Sequence, residues 1–118
     1  GMRDLLRKML TPHGYAVLAA DDVWDALALA RSRAGGIDLL LTDIVMPEMN
    51  GPELAQHIVG MHPHMRVLYI SGFPQAAALG ASAMNPRVNF LPKPFTPIVL
   101  LAAVREALDR PVGDPTFR

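Results

Sequence analysis

The chain has 118 residues, 51% of them apolar, and its 11 basic and 11 acidic side chains cancel to zero net charge. With no basic run interleaved with aromatics, that balance argues against a nucleic-acid partner. The absence of cysteine removes disulfides, thiolate catalysis and thiolate metal sites together. No apolar run approaches the roughly 18 residues that span a bilayer, and no secretory leader is visible. The expectation is one soluble, cytoplasmic domain with no membrane contact.

Gly1 and Met2 read as a scar followed by an initiator methionine. Residues 2–10 place Leu5, Leu6, Met9 and Leu10 at helical spacing, and Pro12-His13-Gly14 ends the run. Residues 15–20 (YAVLAA) read as a short strand. Asp21 or Asp22 can cap the helix that follows, which runs through WDALALARSR to Gly35-Gly36. Residues 37–42 form an apolar run of strand length, which predicts burial on both faces as in a parallel sheet. The run ends in a carboxylate, Asp43.

Gly51-Pro52 opens a helix with Glu53 near the positive end of its dipole and Leu54, Ile58 and Met61 as its stripe. His62-Pro63-His64 closes it. Residues 66–70 (RVLYI) predict a strand that runs into Ser71-Gly72. Residues 74–84 are Ala-rich with Gly80 inside, a weak helix, and 85–87 form a turn. Residues 88–91 predict the next strand. Thr96-Pro97 caps a helix that reaches about Asp109 and holds Ile98, Leu101, Val104 and Leu108 on its inner side. The domain is expected over 2–110, with 111–118 as a polar tail.

Strands alternate with helices throughout, which predicts a doubly wound α/β fold with a parallel sheet. In such folds ligands bind outside the carboxyl ends of the strands. Asp43, Ser71 and Lys93 all fall at or just past such ends. A carboxylate there costs free energy unless it has partners, and a hydroxyl and an ammonium are the partners on offer. The four histidines show no ligand spacing and read as surface or helix-end residues. Trp24 reads as a helix-face packing residue.

The stretches DLLLTDIVMPEMNGPEL, VLYISG and FLPKPF, in this order and at this spacing, resemble the receiver domain of two-component response regulators. The resemblance covers residues 3–109. The runs SGFPQAAA and FLPKPFTP look most like receivers attached to hybrid sensor kinases. It implies a flavodoxin-like sheet and a phosphorelay role that is not that of an enzyme, with a histidine kinase or phosphotransfer protein as partner. It implies that Asp43 is the phosphoacceptor, that Lys93 pairs with it, and that Ser71 bonds the phosphoryl group. It further implies that Phe90 is the switch aromatic and that the Lys93-Pro94 bond is cis. Mg²⁺ is the implied cofactor, held by Asp43, by the backbone carbonyl of Val45 and by an acidic pair ending the family's first strand.

The resemblance starts at the family's first helix, so the first strand and the acidic pair are expected to be missing, as in an N-terminally truncated receiver. Asp21-Asp22 follows the family's second strand and is a weak substitute. About five buried side chains at roughly 1.5–3 kcal/mol each would be forfeited, against a whole-domain stability of about 5–15 kcal/mol. The gap is therefore expected to be closed, either by a homodimer that exchanges a strand or by direct pairing of residues 15–20 with the next strand. Two other readings compete with phosphoacceptance. One is a phosphorylation-independent interaction module, since the acidic pair is missing. The other is a hydrolase of the haloacid dehalogenase type, which needs a second aspartate where this chain has Val45.

Overall fold

The computed structural model describes residues 2–33, 35–44, 49–71 and 88–109. Among these residues four helices and three strands follow in the order α1 (Met2–Leu10), α2 (Val23–Ser32), β1 (Leu39–Asp43), α3 (Gly51–Val59), β2 (Arg66–Ser71), β3 (Val88–Pro92) and α4 (Pro97–Asp109), with a 3-10 turn at Thr11–His13 after α1. The expected helix over 74–84, the turn at 85–87, Val45 and the tail lie outside the described residues.

The three strands pair in parallel in the order β1-β2-β3. β2 is central, and its side chains alternate between two cores as the period of two requires. Val67 and Tyr69 join a cluster under α2 and α3, with Val23, Leu27, Leu54 and Ile58. Leu68 and Ile70 join a cluster under α1 and α4, with Leu10, Leu91, Leu100 and Val104. Helices thus cover both faces, as the alternation of strands and helices predicts. No helix among the described residues is long and apolar enough to cross a membrane.

Local sequence accounts for the helix starts. Asp22, not Asp21, caps α2, its carboxylate accepting from the Asp25 N–H at 2.8 Å. The Thr96 hydroxyl accepts from the Val99 N–H at 3.2 Å and Pro97 fills the first turn of α4, as expected. Asn50 and Glu53 form a reciprocal capping box at α3, with the Glu53 N–H donating to Asn50 Oδ1 at 2.9 Å and the Asn50 N–H donating to Glu53 Oε1 at 3.2 Å. The sequence reading missed this box, although the N-x-x-E spacing encodes it.

Several expectations need correction. Residues 15–20 form no ladder. Tyr15 and Val17 are half-buried while Ala16 and Leu18 are exposed, so the alternation of a strand is present. A strand also needs a hydrogen-bonded neighbour, and direct pairing of this segment with β1 does not occur. β1 begins two residues later than expected. Its leucines are half-buried, and full burial belongs to β2 instead. β1 is an edge strand, and no strand among the described residues covers its outer side. Trp24 is 60% exposed and Ile98 79% exposed, so neither packs inward. His62 is buried rather than superficial, its Nε2 standing 2.8 Å from the Ala30 carbonyl oxygen in the last turn of α2.

Candidate functional site

Parallel pairing brings all three strand ends to one edge of the sheet. Asp43 closes β1 and is level with Ile70 of β2, which is level with Leu91 of β3. Ser71 closes β2 in register with Pro92, and Lys93 follows at once. Lys93 reaches back across the tip of β2, and its Nζ stands 2.8 Å from Asp43 Oδ1. The two groups are about equally half-exposed, with side chains 41% and 42% accessible. The pair therefore meets at the rim of the sheet, within reach of a ligand, and is not sealed in the core.

The backbone around Asp43 is held by two residues, Thr42 and Gly51. The Thr42 hydroxyl donates to the Asp43 carbonyl oxygen at 3.1 Å. The Gly51 N–H donates to the Ile44 carbonyl oxygen at 2.6 Å. Gly51 comes so close that a methyl group there would stand 2.5 Å from the Asp43 carbonyl oxygen and 3.2 Å from Ile44 Cα. Only glycine allows this approach. The chain thus leaves β1, turns, and is tied back to the strand end by the first residue of α3.

Phe90 lies three residues before Lys93 and is half-buried against the core under α2 and α3. Its ring centroid is 5.8 Å from that of Tyr69, with the planes inclined by 39°. Tyr69 is 2% exposed, and burial pushes its phenol up to about 12. The Lys93–Pro94 peptide is cis. The Ser71 hydroxyl and Val45 lie outside the described residues.

The donor set bears on Mg²⁺. A hard dication takes several oxygen ligands, usually with more than one carboxylate among protein and substrate. Among the described residues no group of three acidic or imidazole side chains could hold a metal ion. Asp21 pairs with Arg3, and Asp22 is spent on the cap of α2. They do not substitute for an acidic pair beside Asp43. The described residues alone do not fit a Mg²⁺ ion.

What the arrangement offers is a half-exposed carboxylate oxygen with an ammonium beside it. The carboxylate is a nucleophile of the kind that forms acyl phosphates. The ammonium offsets the repulsion between that carboxylate and an incoming phosphoryl group.

The pattern that defines the response regulator receiver domain matches residues 1–105. Over 103 residues the chain is 32% identical to the sensor kinase CckA of Brucella abortus (strain 2308), a match that covers 87% of this chain and 11% of that protein. It is 42% identical over 95 residues to the response regulator receiver protein CpdR of the same organism, covering 80% of this chain and 77% of that protein. Among solved structures it is similar to the receiver domain of the hybrid histidine kinase CckA, with a TM-score of 0.74 at 34% identity over 91% of this chain and 89% of that one. It is likewise similar to a response regulator receiver protein from Sinorhizobium medicae WSM419, with a TM-score of 0.76 at 32% identity over 92% of this chain and 86% of that one.

Proposed function

The chain belongs to the response regulator receiver domain family, whose members act in two-component phosphorelays with histidine kinases or phosphotransfer proteins, and from that premise we propose that Asp43 is its phosphoacceptor. The observation that carries this reading is the 2.8 Å contact between Asp43 and Lys93 at the carboxyl edge of the sheet. An Asp43 carboxylate oxygen attacks the phosphorus of a phosphohistidine. An O–P bond forms, the N–P bond breaks, and the imidazole nitrogen leaves with the electron pair and takes up a proton. Lys93 turns from the carboxylate to the phosphoryl oxygens, Ser71 adds a hydrogen bond to them, and Phe90 follows as the switch aromatic. Receiver domains typically use Mg²⁺ to offset charge at this step. In this chain Val45 would offer a backbone carbonyl, and further acidic ligands would have to join Asp43.

The test is incorporation of phosphate from acetyl phosphate or from a phosphorylated histidine kinase. Incorporation should vanish in Asp43→Asn and fall steeply in Lys93→Ala. A half-exposed ion pair contributes only about 0–1 kcal/mol to stability, so both variants should stay folded. Undiminished incorporation in Asp43→Asn sinks the reading. A complete lack of incorporation in the native chain favours the second reading, a receiver-like interaction module that works without phosphorylation. The donor set around Asp43 supports that alternative.

A second copy of the chain is the other partner this reading admits. The outer edge of β1 has no strand beside it among the described residues, and such an edge is a template for strand addition. A homodimer that donates an extended segment across this edge would cover it. Light scattering should then give twice the chain mass, and Leu40→Lys should lower it. A single-chain mass at every concentration overturns the dimer.

A further inference from the structure

Asp43 on β1 and Phe90 on β3 are separated by one strand, and Tyr69 stands between them. Thr42, Tyr69 and Phe90 share one rung of the sheet. On one side Tyr69 meets the Phe90 ring at 5.8 Å. On the other it meets the start of α3, where a methyl at Gly51 would stand 3.1 Å from Tyr69 Cε1. That same methyl would stand 2.5 Å from the Asp43 carbonyl oxygen. Gly51 is therefore wedged between the phosphoacceptor's own backbone and an aromatic ring that is itself 2% exposed. Close-packed interiors transmit displacement because their side chains have no free volume to absorb it.

We propose that Tyr69 is a positioning residue for Asp43: its ring braces the first residue of α3 against the Asp43–Ile44 backbone and carries any movement of that segment to Phe90. The inference rests on the reading of Asp43 as phosphoacceptor. The brace is steric. It uses the ring and its edge, and the hydroxyl takes no part. Tyr69→Phe should therefore preserve it, whereas Tyr69→Leu should remove it. A loosened strand end misplaces the nucleophile without removing any group that touches the phosphodonor. The loss should fall on the rate at saturating donor and leave the half-saturating donor concentration unchanged.

The experiment measures two things on the full chain. The first is the rate of acetyl phosphate labelling, with Asp43→Asn as the control that establishes the acceptor. Tyr69→Leu should lower the saturated rate by about tenfold or more, given that misplacement of a reacting group by about 1 Å can cost a hundredfold. Tyr69→Phe should restore it. The second is the set of Phe90 ring resonances in the unphosphorylated protein, which needs no labelling. Gly51→Ala should shift them in the native background and shift them less in Tyr69→Leu. If Tyr69→Leu does not fold, Gly51→Ala with and without Tyr69→Phe decides alone: equal shifts in both backgrounds support the steric brace, and unmoved Phe90 resonances overturn it. Equal shifts with and without the Tyr69 ring, or an unchanged saturated rate in folded Tyr69→Leu, also overturn the proposal. Labelling that survives Asp43→Asn would instead refute the phosphoacceptor reading, and the Phe90 shifts would still report on the brace.

Discussion

Tyr69 shows how one buried side chain links the stability of the domain to pH. Its phenol is pushed up to about 12 from an ordinary 10 because burial disfavours the phenolate. A group whose folded value is raised contributes stability that is intact below its unfolded value and is lost as pH climbs through the folded one. Below pH 10 the phenol is neutral in both states and costs nothing. Between pH 10 and about 12 the unfolded chain ionises and the folded chain resists, so stability falls with a slope approaching about 1.4 kcal/mol per pH unit. Denaturant unfolding across this interval should show the native chain losing stability faster than Tyr69→Phe. Parallel slopes would mean that the ring is less enclosed than its 2% exposure implies.

At the scale of the element, α3 depends most on its first turn. It has nine residues, too few to be stable in isolation. Asn50 and Glu53 satisfy two of its orphan N–H groups, and the Gly51 N–H is satisfied by the Ile44 carbonyl. Asn50→Ala should cost about 0.5–2 kcal/mol, and Asn50→Asp should cost much less because a carboxylate also caps and favours the positive end of the dipole. Thermal unfolding of the two variants measures the difference. The position of α3 also fixes the Asp43 turn, so Asn50→Ala is expected to slow phosphorylation as well as to lower stability. A variant that loses stability yet keeps the native labelling rate would separate the cap from the site.

For the molecule as a whole, the layered α/β plan and the meeting of Asp43 with Lys93 are legible in the amino-acid sequence. The legible parts depend on short-range pattern. Apolar runs of strand length end in polar residues, helices begin at the Asp21-Asp22 pair and at Thr96, and parallel strands send their carboxyl ends to one edge. What was not legible depends on neighbours. YAVLAA has the composition and alternation of a strand, but a ladder requires a second chain segment alongside, and sequence pattern does not report whether one is present. Trp24 and Ile98 sit in helical stretches whose apolar residues suggest packing, yet both are exposed. His62 looked like a helix-end residue because nothing in its own segment indicates the Ala30 carbonyl, 32 positions earlier. The contact of Tyr69 with Gly51 likewise spans two elements.

The sheet register carries a consequence for folding. Asp43, Ile70 and Leu91 stand in one row, and Lys93 lies two residues beyond it. A slip of one residue between β2 and β3 would carry Lys93 about 3.3 Å along the strand and turn the β3 side chains to the opposite face. Helix content would barely change, but the ammonium would no longer meet the carboxylate. The Asp43–Lys93 contact thus acts as a vernier on strand alignment: the chemistry at the rim is available only to molecules whose interior has assembled in the correct frame.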